Sequence, residues 1–134
     1  MSITAPESSV TVRYQVSDIE RSISFYTERL AFRVGTKVGT AFADVVRGNL
    51  RLILSGPGSS GSRPMPDGQP QAPGGWNRVV LTVDDLAAEI SVLQRAGARF
   101  RNQTESGPGG KQVLLEDPDG NLLELHEYPK SKAP

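Results

Sequence analysis

Two segments of the chain repeat one pattern 67 residues apart, and this repeat constrains the fold more than any other feature. Residues 12–30, VRYQVSDIERSISFYTERL, align with residues 79–97, VVLTVDDLAAEISVLQRAG, with five identities in nineteen positions. In both segments an alternating apolar run is followed by apolar residues at helical spacing. The chain therefore predicts two copies of one unit, each opening with a strand and a helix.

Local signals in the first copy support this prediction. Val12, Tyr14 and Val16 alternate with polar residues, which is typical of a half-buried strand. Ser17 and Glu20 then form an S-x-x-E capping box, which predicts the start of a helix. One apolar stripe along this helix is formed by Ile19, Ile23, Tyr26 and Leu30.

Three strand-like runs follow each predicted helix. They lie at about residues 32–38, 41–46 and 49–55 in the first copy and 98–104, 111–116 and 122–127 in the second. The predicted plan is β-α-β-β-β written twice, an α+β fold within one domain of residues 1–134. Its modules are residues 10–55 and 76–128, and residues 129–134 are expected to form a flexible tail.

The segment between the two modules, residues 56–75, is rich in glycine and proline. Eleven of its twenty residues are of these two types, so a packed helix or strand is excluded. A loop of this length is unusual inside a compact domain. We interpret it as a linker between the modules; the alternative is a mobile cover over a binding site.

Bulk composition excludes several classes of function. Fifteen basic and fifteen acidic residues cancel, so no net field attracts nucleic acid or an anionic membrane. The absence of cysteine excludes disulfides, thiolate metal sites and a cysteine nucleophile. The sequence contains neither a signal-peptide pattern nor an apolar run of the roughly 20 residues that cross a bilayer. A cytoplasmic protein without nucleic-acid or membrane partners is expected.

The acidic stretch EDPDGN, residues 116–121, is interpreted as a turn. Asp117 and Pro118 suit the first two positions of a tight turn and Gly120 the residue that closes it, and glycine falls too early for a calcium-binding loop. GPGG at residues 107–110 is likewise predicted to be a turn, because it lacks the lysine and the helix of a phosphate loop.

Glu124 differs from these turn residues because it lies within the last predicted strand, LLELHE. A carboxylate in a strand is costly unless it faces water, a partner or a cavity. Strand alternation places Leu123 and Leu125 on one face, and Glu124 and the only histidine, His126, on the other.

The repeated segments together with the ending EDPDGNLLELHE resemble the vicinal oxygen chelate superfamily over about residues 10–128. This superfamily contains glyoxalase I, extradiol dioxygenases, fosfomycin-resistance enzymes and bleomycin-binding proteins. The resemblance implies two tandem βαβββ modules with curved mixed sheets around a cleft, and a homodimer. It is far more specific for fold than for activity.

Metal-using members of the superfamily take their ligands from the first and last strands of each half. Carried over to this chain, the resemblance places the four ligand positions at Thr11, Leu52, Arg78 and Glu124. Leucine has no donor atom, arginine is a permanent cation, and a threonine hydroxyl is a poor ligand for Zn, Ni, Mn or Fe. Only Glu124 suits a metal, so no cofactor is expected, and a divalent metal is the alternative.

Three interpretations of Arg78 and Glu124 remain open at this point. They form a structural ion pair, or Arg78 is available for an anionic or carbonyl group of a ligand, or Glu124 and His126 hold a residual metal. Alternation along the strands predicts further residues lining the cleft. The predicted ligand-binding set is Thr11, Arg13, Gln15, Leu52, Trp76, Arg78, Glu124 and His126, with further lining from Leu50, Leu54, Val80, Thr82 and Leu122.

The favoured function is binding of a small, partly apolar molecule without a complete metal site, in detoxification or resistance. The alternative is a glyoxalase-type lyase or isomerase, or a dioxygenase. In a metal-free enzyme of that kind Glu124 is the candidate general base, and Arg78 stabilises a developing oxyanion.

Overall fold

A computed structural model of the protein describes residues 10–130. Residues 131–134, the end of the predicted tail, lie outside the described residues. The chain divides into two compact units between Gln71 and Ala72. Within the described part, no helix has the length and apolar character needed to span a membrane.

The first unit is one four-stranded sheet with one helix. Along the chain its elements are strand β1 (Val10–Gln15), helix α1 (Ile19–Arg29), β2 (Arg33–Val38), β3 (Phe42–Arg47) and β4 (Leu50–Ser55). The strand order in space is β1-β4-β3-β2, with β1 parallel to β4 and the other pairs antiparallel. This is the predicted βαβββ plan with a mixed sheet.

Helix α1 is capped one residue later than the sequence predicts. The Asp18 carboxylate accepts the backbone N–H of Arg21 at 3.1 Å, so Asp18 is the N-cap. The predicted Ser17–Glu20 capping box is wrong, because an aspartate adjacent to the first turn satisfies that N–H group instead. Ser17 accepts a hydrogen bond from the Arg21 guanidinium, and Glu20 pairs with Lys37 at 2.8 Å.

The core of the first unit lies between α1 and one face of its sheet. Tyr26 on α1 is fully buried, and so are Val45, Leu52 and Leu54 on β3 and β4, the strands that α1 lies against. Strand pairing sets Val12 opposite Leu52 and Tyr14 opposite Leu54, so these apolar side chains share the helix-covered face. The polar residues of β1 therefore lie on the other face, which we call the open face of the first sheet.

The second unit repeats this plan with one change. Its elements are β5 (Val79–Thr82), α2 (Leu86–Arg95), β6 (Arg99–Phe100), β7 (Glu105–Gly107), β8 (Gly110–Glu116) and β9 (Leu122–Glu127). The order is β5-β9-β8-β6, and β7 also pairs with β8. The strand predicted at about residues 98–104 is shortened to β6, and β7 is an additional short strand just beyond the predicted range that pairs with the same neighbour, β8.

An asparagine side chain explains the break between β6 and β7. The Asn102 amide oxygen accepts the N–H of Leu114 at 2.9 Å, where a continuous strand would offer a backbone carbonyl. The preceding residue still pairs normally, because the Arg101 N–H donates to the Leu114 carbonyl at 2.9 Å. A side chain that replaces a backbone partner ends the regular ladder at that point.

The acidic turn predicted at Asp117–Gly120 is confirmed. Gly120 donates its N–H to the Asp117 carbonyl at 3.0 Å and adopts a φ of 84°. The Asp117 carboxylate is 1% exposed and accepts the N–H groups of Asp119 and Asn121, each at 2.9 Å. Asp117 therefore holds the turn together from inside, as an Asx-turn residue does.

Candidate functional site

The face of the second sheet that lies opposite its helix-covered face, which we call the open face of the second sheet, carries a buried carboxylate, Glu124. In β9, Leu123 and Leu125 pair with Val79 and Leu81 on the helix-covered face, so Glu124 points to the opposite side. Glu124 is 6% exposed, and a carboxylate so well covered requires charged or hydrogen-bonding partners.

Arg78 supplies the first of these partners. Its Nε and Nη2 atoms donate to a single carboxylate oxygen, Glu124 Oε1, at 3.1 and 3.0 Å. Arg78 lies immediately before β5, which is parallel to β9, and its neighbour Val79 pairs with Leu123. The sheet register therefore sets the arginine beside the carboxylate.

His126 supplies the second partner. Its Nδ1 lies 3.0 Å from Glu124 Oε2, and its Nε2 lies 2.9 Å from the carbonyl oxygen of Gly109. Because a carboxylate and a carbonyl only accept hydrogen bonds, both ring nitrogens act as donors in the protonated ring. The Gly109 carbonyl first, and then the Glu124 carboxylate, raise the pKa of His126, while partial burial opposes them.

Trp76 lies on the loop before β5 and is 69% exposed. The Arg101 guanidinium carbon is 5.3 Å from the centre of the indole ring, which is within the range of a cation–π contact. The Trp76 carbonyl faces Nη1 of Arg78 at 3.4 Å. The tryptophan is thus linked to Arg101 through its ring and to Arg78 through its backbone.

On the first sheet the polar residues of β1 contact the beginning of the glycine-rich segment. Arg13 Nη1 donates to Ser55 Oγ at 3.0 Å, and Gln15 Nε2 donates to the Gly61 carbonyl at 3.0 Å. Ser62 Oγ donates to Gln15 Oε1 at 2.7 Å. Part of the segment predicted to be a linker, residues 56–75, is therefore held on the first unit.

Three serine hydroxyls complete this network. Ser55 Oγ lies 2.9 Å from both Ser59 Oγ and Ser62 Oγ, and Ser59 donates to Ser62 at 3.0 Å. We call Arg13, Gln15, Ser55, Ser59 and Ser62 the serine network. These serines were not predicted as site residues; the available signal for Ser59 and Ser62 was the run GSSGS, residues 58–62, which follows the end of β4.

The predicted place of Leu52 on the cleft wall is wrong. Leu52 is fully buried and pairs with Val12 and Val45 on the helix-covered face. The residue of β4 that shares a face with Arg13 is Ile53, and Arg13 stands 67 positions before Val80, the partner of Glu124. Ile53 is therefore the first unit's counterpart of Glu124; Leu50 and Leu54 move to the covered face with Leu52.

The loop lengths explain this one-residue error. Leu52 corresponds to Glu124 only if Gly48-Asn49 is aligned with Gly120-Asn121, but the first hairpin has a two-residue turn and the second a five-residue turn. A shift of one residue in a strand exchanges its two faces. Thr11, in contrast, is exposed on β1 and lies on the same face as Arg13.

The metal implied by the resemblance does not fit the donor set of the second unit. Both oxygens of Glu124 accept hydrogen bonds, one from the Arg78 guanidinium and one from the His126 ring, and Arg78 has no lone pair for a metal. Within residues 10–130, no group of three or more His, Cys, Asp or Glu side chains is arranged to hold a metal ion. In the first unit, Ile53 at the position matching Glu124 offers no donor atom.

Two mixed sheets with one helix each define an α+β protein of the paired βαβββ type. Residues 9–125 match the profile of the Glyoxalase/Bleomycin resistance protein/Dioxygenase superfamily. The chain belongs to this superfamily.

Among curated relatives, a probable chloroplastic lactoylglutathione lyase of Arabidopsis thaliana is 26% identical over 132 residues. The match covers 92% of this chain but only 36% of that protein, so the chain spans little more than a third of its relative.

Solved structures agree with the fold. A superfamily member from Sphaerobacter thermophilus has a TM-score of 0.73 at 26% identity, covering 91% of this chain and 98% of the other. TnmS3, an antibiotic binding protein from Streptomyces sp. CB03234, has a TM-score of 0.70 at 24% identity, covering 96% of this chain and all of the other (100%). The second likeness shows the fold alone.

Proposed function

We propose that this protein binds a small, partly apolar molecule without a complete metal site, in detoxification or resistance. One observation carries this proposal: the two carboxylate oxygens of Glu124 accept hydrogen bonds from Arg78 and His126. In a fold whose metal-using members employ this position as a ligand, the carboxylate is instead neutralised by side chains of the chain itself.

The same contacts weaken the enzymatic alternative. A general base must present a free oxygen within hydrogen-bond reach of a substrate proton. Glu124 Oε1 already accepts two hydrogen bonds from Arg78, Oε2 accepts one from His126, and the residue is only 6% exposed, so little of the carboxylate is accessible to a substrate. A glyoxalase-type lyase or isomerase, or a dioxygenase, therefore requires a rearrangement that simple binding does not.

The superfamily relatives are compatible with the binding proposal. TnmS3 is described as an antibiotic binding protein and shares the fold with this chain. The Arabidopsis relative is described as a probable lyase, but this chain corresponds to only 36% of it. An antibiotic-like or otherwise partly apolar molecule is therefore the proposed ligand class.

The proposed ligand contacts of the second unit are Arg78, Trp76 and His126. For the open face of the first sheet, taken by itself, the proposed contact is Thr11. Arg13 and Gln15 are also proposed to contribute to ligand binding. In this structure their polar groups form hydrogen bonds as part of the serine network. Glu124 acts by orienting Arg78 and His126 and makes no direct ligand contact in this proposal.

Metal analysis tests the proposal directly. The protein is produced in medium supplemented with Ni, Zn, Mn and Fe, and bound metal per chain is measured together with ligand binding. We expect well below one equivalent of metal, and the same content in the matched variant Glu124→Gln. One equivalent of metal that is lost in Glu124→Gln and restores a turnover activity would overturn the proposal.

We also propose that the protein is a homodimer and acts in the cytoplasm. The dimer follows from the superfamily resemblance, and the cytoplasmic location is the expectation for a sequence without an apolar run long enough to cross a bilayer. Light scattering checks the first part, with an expected mass of twice the 14.4 kDa of one chain. Fractionation of the producing cells checks the second.

A further inference from the structure

The exposed Trp76 ring is held in a defined orientation. The indole is 69% exposed, yet the Arg101 guanidinium lies 5.3 Å from its ring centre. Arg101 is itself fixed, because its Nη1 pairs with Glu116 Oε2 at 3.3 Å. A large aromatic ring braced by a cation on one side presents its remaining surface to solvent as a platform for stacking.

Arg78 retains hydrogen-bonding capacity beside this platform. A guanidinium carries five N–H groups, and the contacts with Glu124 Oε1 and the Trp76 carbonyl use three of them. Two N–H groups, one on each terminal nitrogen, are left over from these contacts. The Arg78 side chain is 28% exposed, so a ligand can reach it.

The charges on this face favour an anion. Glu124 is neutralised by Arg78 and His126, and Glu116 by Arg101 and by Arg99 at 3.5 Å. With His126 protonated, four cationic groups thus stand against these two carboxylates. A third carboxylate, Glu105, lies opposite Gln112 at the far side of β8. The three arginines and three carboxylates of this face therefore balance, and a protonated His126 gives it a net charge of +1.

Apolar side chains separate the charged groups on the same face. Strand pairing sets Leu114 beside Glu124 on one side and Val80 beside it on the other. Val80 is 48% exposed, and Leu114 is half-buried. Trp76, Val80 and Leu114 therefore give the open face of the second sheet an apolar surface next to an arginine.

We propose that the open face of the second sheet binds a flat aromatic or conjugated molecule that carries an anionic group. The ring stacks on Trp76, and the anion accepts hydrogen bonds from the outer N–H groups of Arg78. This inference rests on the proposed small-molecule function and adds the chemical class of the ligand. Arginine suits the role because its planar N–H groups bind carboxylates with defined geometry.

The test uses four probes of similar size: 2-naphthoate, its saturated analogue decahydro-2-naphthoate, neutral 2-naphthylmethanol and cationic 2-naphthylmethylammonium. Binding is followed by calorimetry and by the indole N–H signal of Trp76, which is unambiguous because the chain has one tryptophan. We expect 2-naphthoate to bind about tenfold more tightly than each other probe and to shift the indole signal.

Variants locate the two interactions. Trp76→Ala, at an exposed position, is expected to remove the preference for 2-naphthoate over its saturated analogue, whereas Trp76→Phe keeps it. Arg78→Lys, which keeps the charge but not the planar geometry, is expected to weaken 2-naphthoate binding several-fold. Arg95→Gln on α2 is the matched control for a lost positive charge and is expected to bind 2-naphthoate like the wild type.

A parallel screen of several hundred neutral fragments separates the two proposals. If neutral fragments bind but 2-naphthoate binds no more tightly than the three other probes, the aromatic-anion inference is overturned and the proposed function stands. Equal binding of 2-naphthoate to wild type and Trp76→Ala also overturns the inference. The absence of any binder in both sets counts against both proposals.

Discussion

Arg78 directs two nitrogens, Nε and Nη2, to a single oxygen of Glu124, at 3.1 and 3.0 Å. The arrangement leaves the second oxygen for His126 Nδ1 at 3.0 Å. The three side chains thus form one hydrogen-bonded network, in which the buried Glu124 carboxylate accepts from both Arg78 and His126.

Removal of Arg78 alone is expected to destabilise the protein more than removal of the charges of Arg78 and Glu124 together. Arg78→Met leaves a carboxylate with 8% side-chain exposure without its guanidinium, which costs about 3 kcal/mol, the lower end for a buried pair. The double variant Arg78→Met/Glu124→Gln is expected to recover part of this loss. Urea unfolding of the wild type, both single variants and the double variant measures the coupling.

Arg95→Gln, on the exposed side of α2, is the control for loss of a positive charge and is expected to change stability by less than about 0.5 kcal/mol. Additive effects of the Arg78 and Glu124 substitutions would show that the pair is not coupled.

Protonation of His126 is expected to stabilise the folded protein. The Gly109 carbonyl and the Glu124 carboxylate raise the pKa of His126 above the ordinary value of 6.5. A raised pKa means that the folded state binds the proton more tightly than the unfolded state. The stabilisation is therefore fully present below about pH 6.5 and is lost as the pH rises through the raised pKa.

The chain contains one histidine, so its imidazole signals give the pKa directly in an NMR titration. Urea unfolding of wild type and His126→Gln at several pH values gives the stability difference, which is expected to narrow with rising pH. A measured pKa at or below 6.5, or a difference that does not vary with pH, contradicts this prediction.

The serine network is expected to hold residues 56–62 on the first unit. Ser55→Ala removes the acceptor of Arg13 and one partner each of Ser59 and Ser62, with an expected cost of about 1–2 kcal/mol. Hydrogen exchange of the Ser62 amide, which donates to the Ser59 carbonyl at 3.1 Å, is expected to accelerate. The exposed Ser60→Ala is the control; similar exchange in the two variants would exclude a specific role for the network.

Two adjacent glycines of the β7–β8 turn are expected to respond differently to alanine. Gly110 has a φ of 116°, and a methyl group there would overlap the carbonyl of Glu127. Gly110→Ala is therefore expected to cost about 2–4 kcal/mol, because strain and overlap add. Gly109→Ala meets no atom within 4 Å and is expected to cost less than about 1 kcal/mol. Thermal unfolding compares them, and equal losses would contradict the prediction.

Much of the architecture follows from local pattern. The 67-residue repeat predicts both strand–helix openings, because alternation and helical spacing are visible in one-dimensional sequence. The same alternation places Glu124 and His126 on the face opposite Leu123 and Leu125, as the structure has them. Patterns of this kind are readable wherever one face of an element is apolar and the other polar.

Strand β4, LRLILS, has apolar residues on both of its faces. Periodicity cannot then choose a face, and only the pairing of Arg13 with Ile53 shows that Leu52 belongs to the core. The break between β6 and β7 depends on a hydrogen bond from Leu114 to Asn102, twelve positions earlier. A contact of this kind has no signature in local propensity.

The sequence by itself therefore determined the repeated strand–helix plan, the turns and the face of β9 that bears Glu124, because these depend on neighbouring residues. The tertiary structure decided which cations hold each oxygen of Glu124, which face Leu52 takes and where the serine network forms. Those outcomes depend on strand register and on contacts between residues more than forty positions apart, such as Arg78 with Glu124 and Arg13 with Ser55. Only folding brings such residues together.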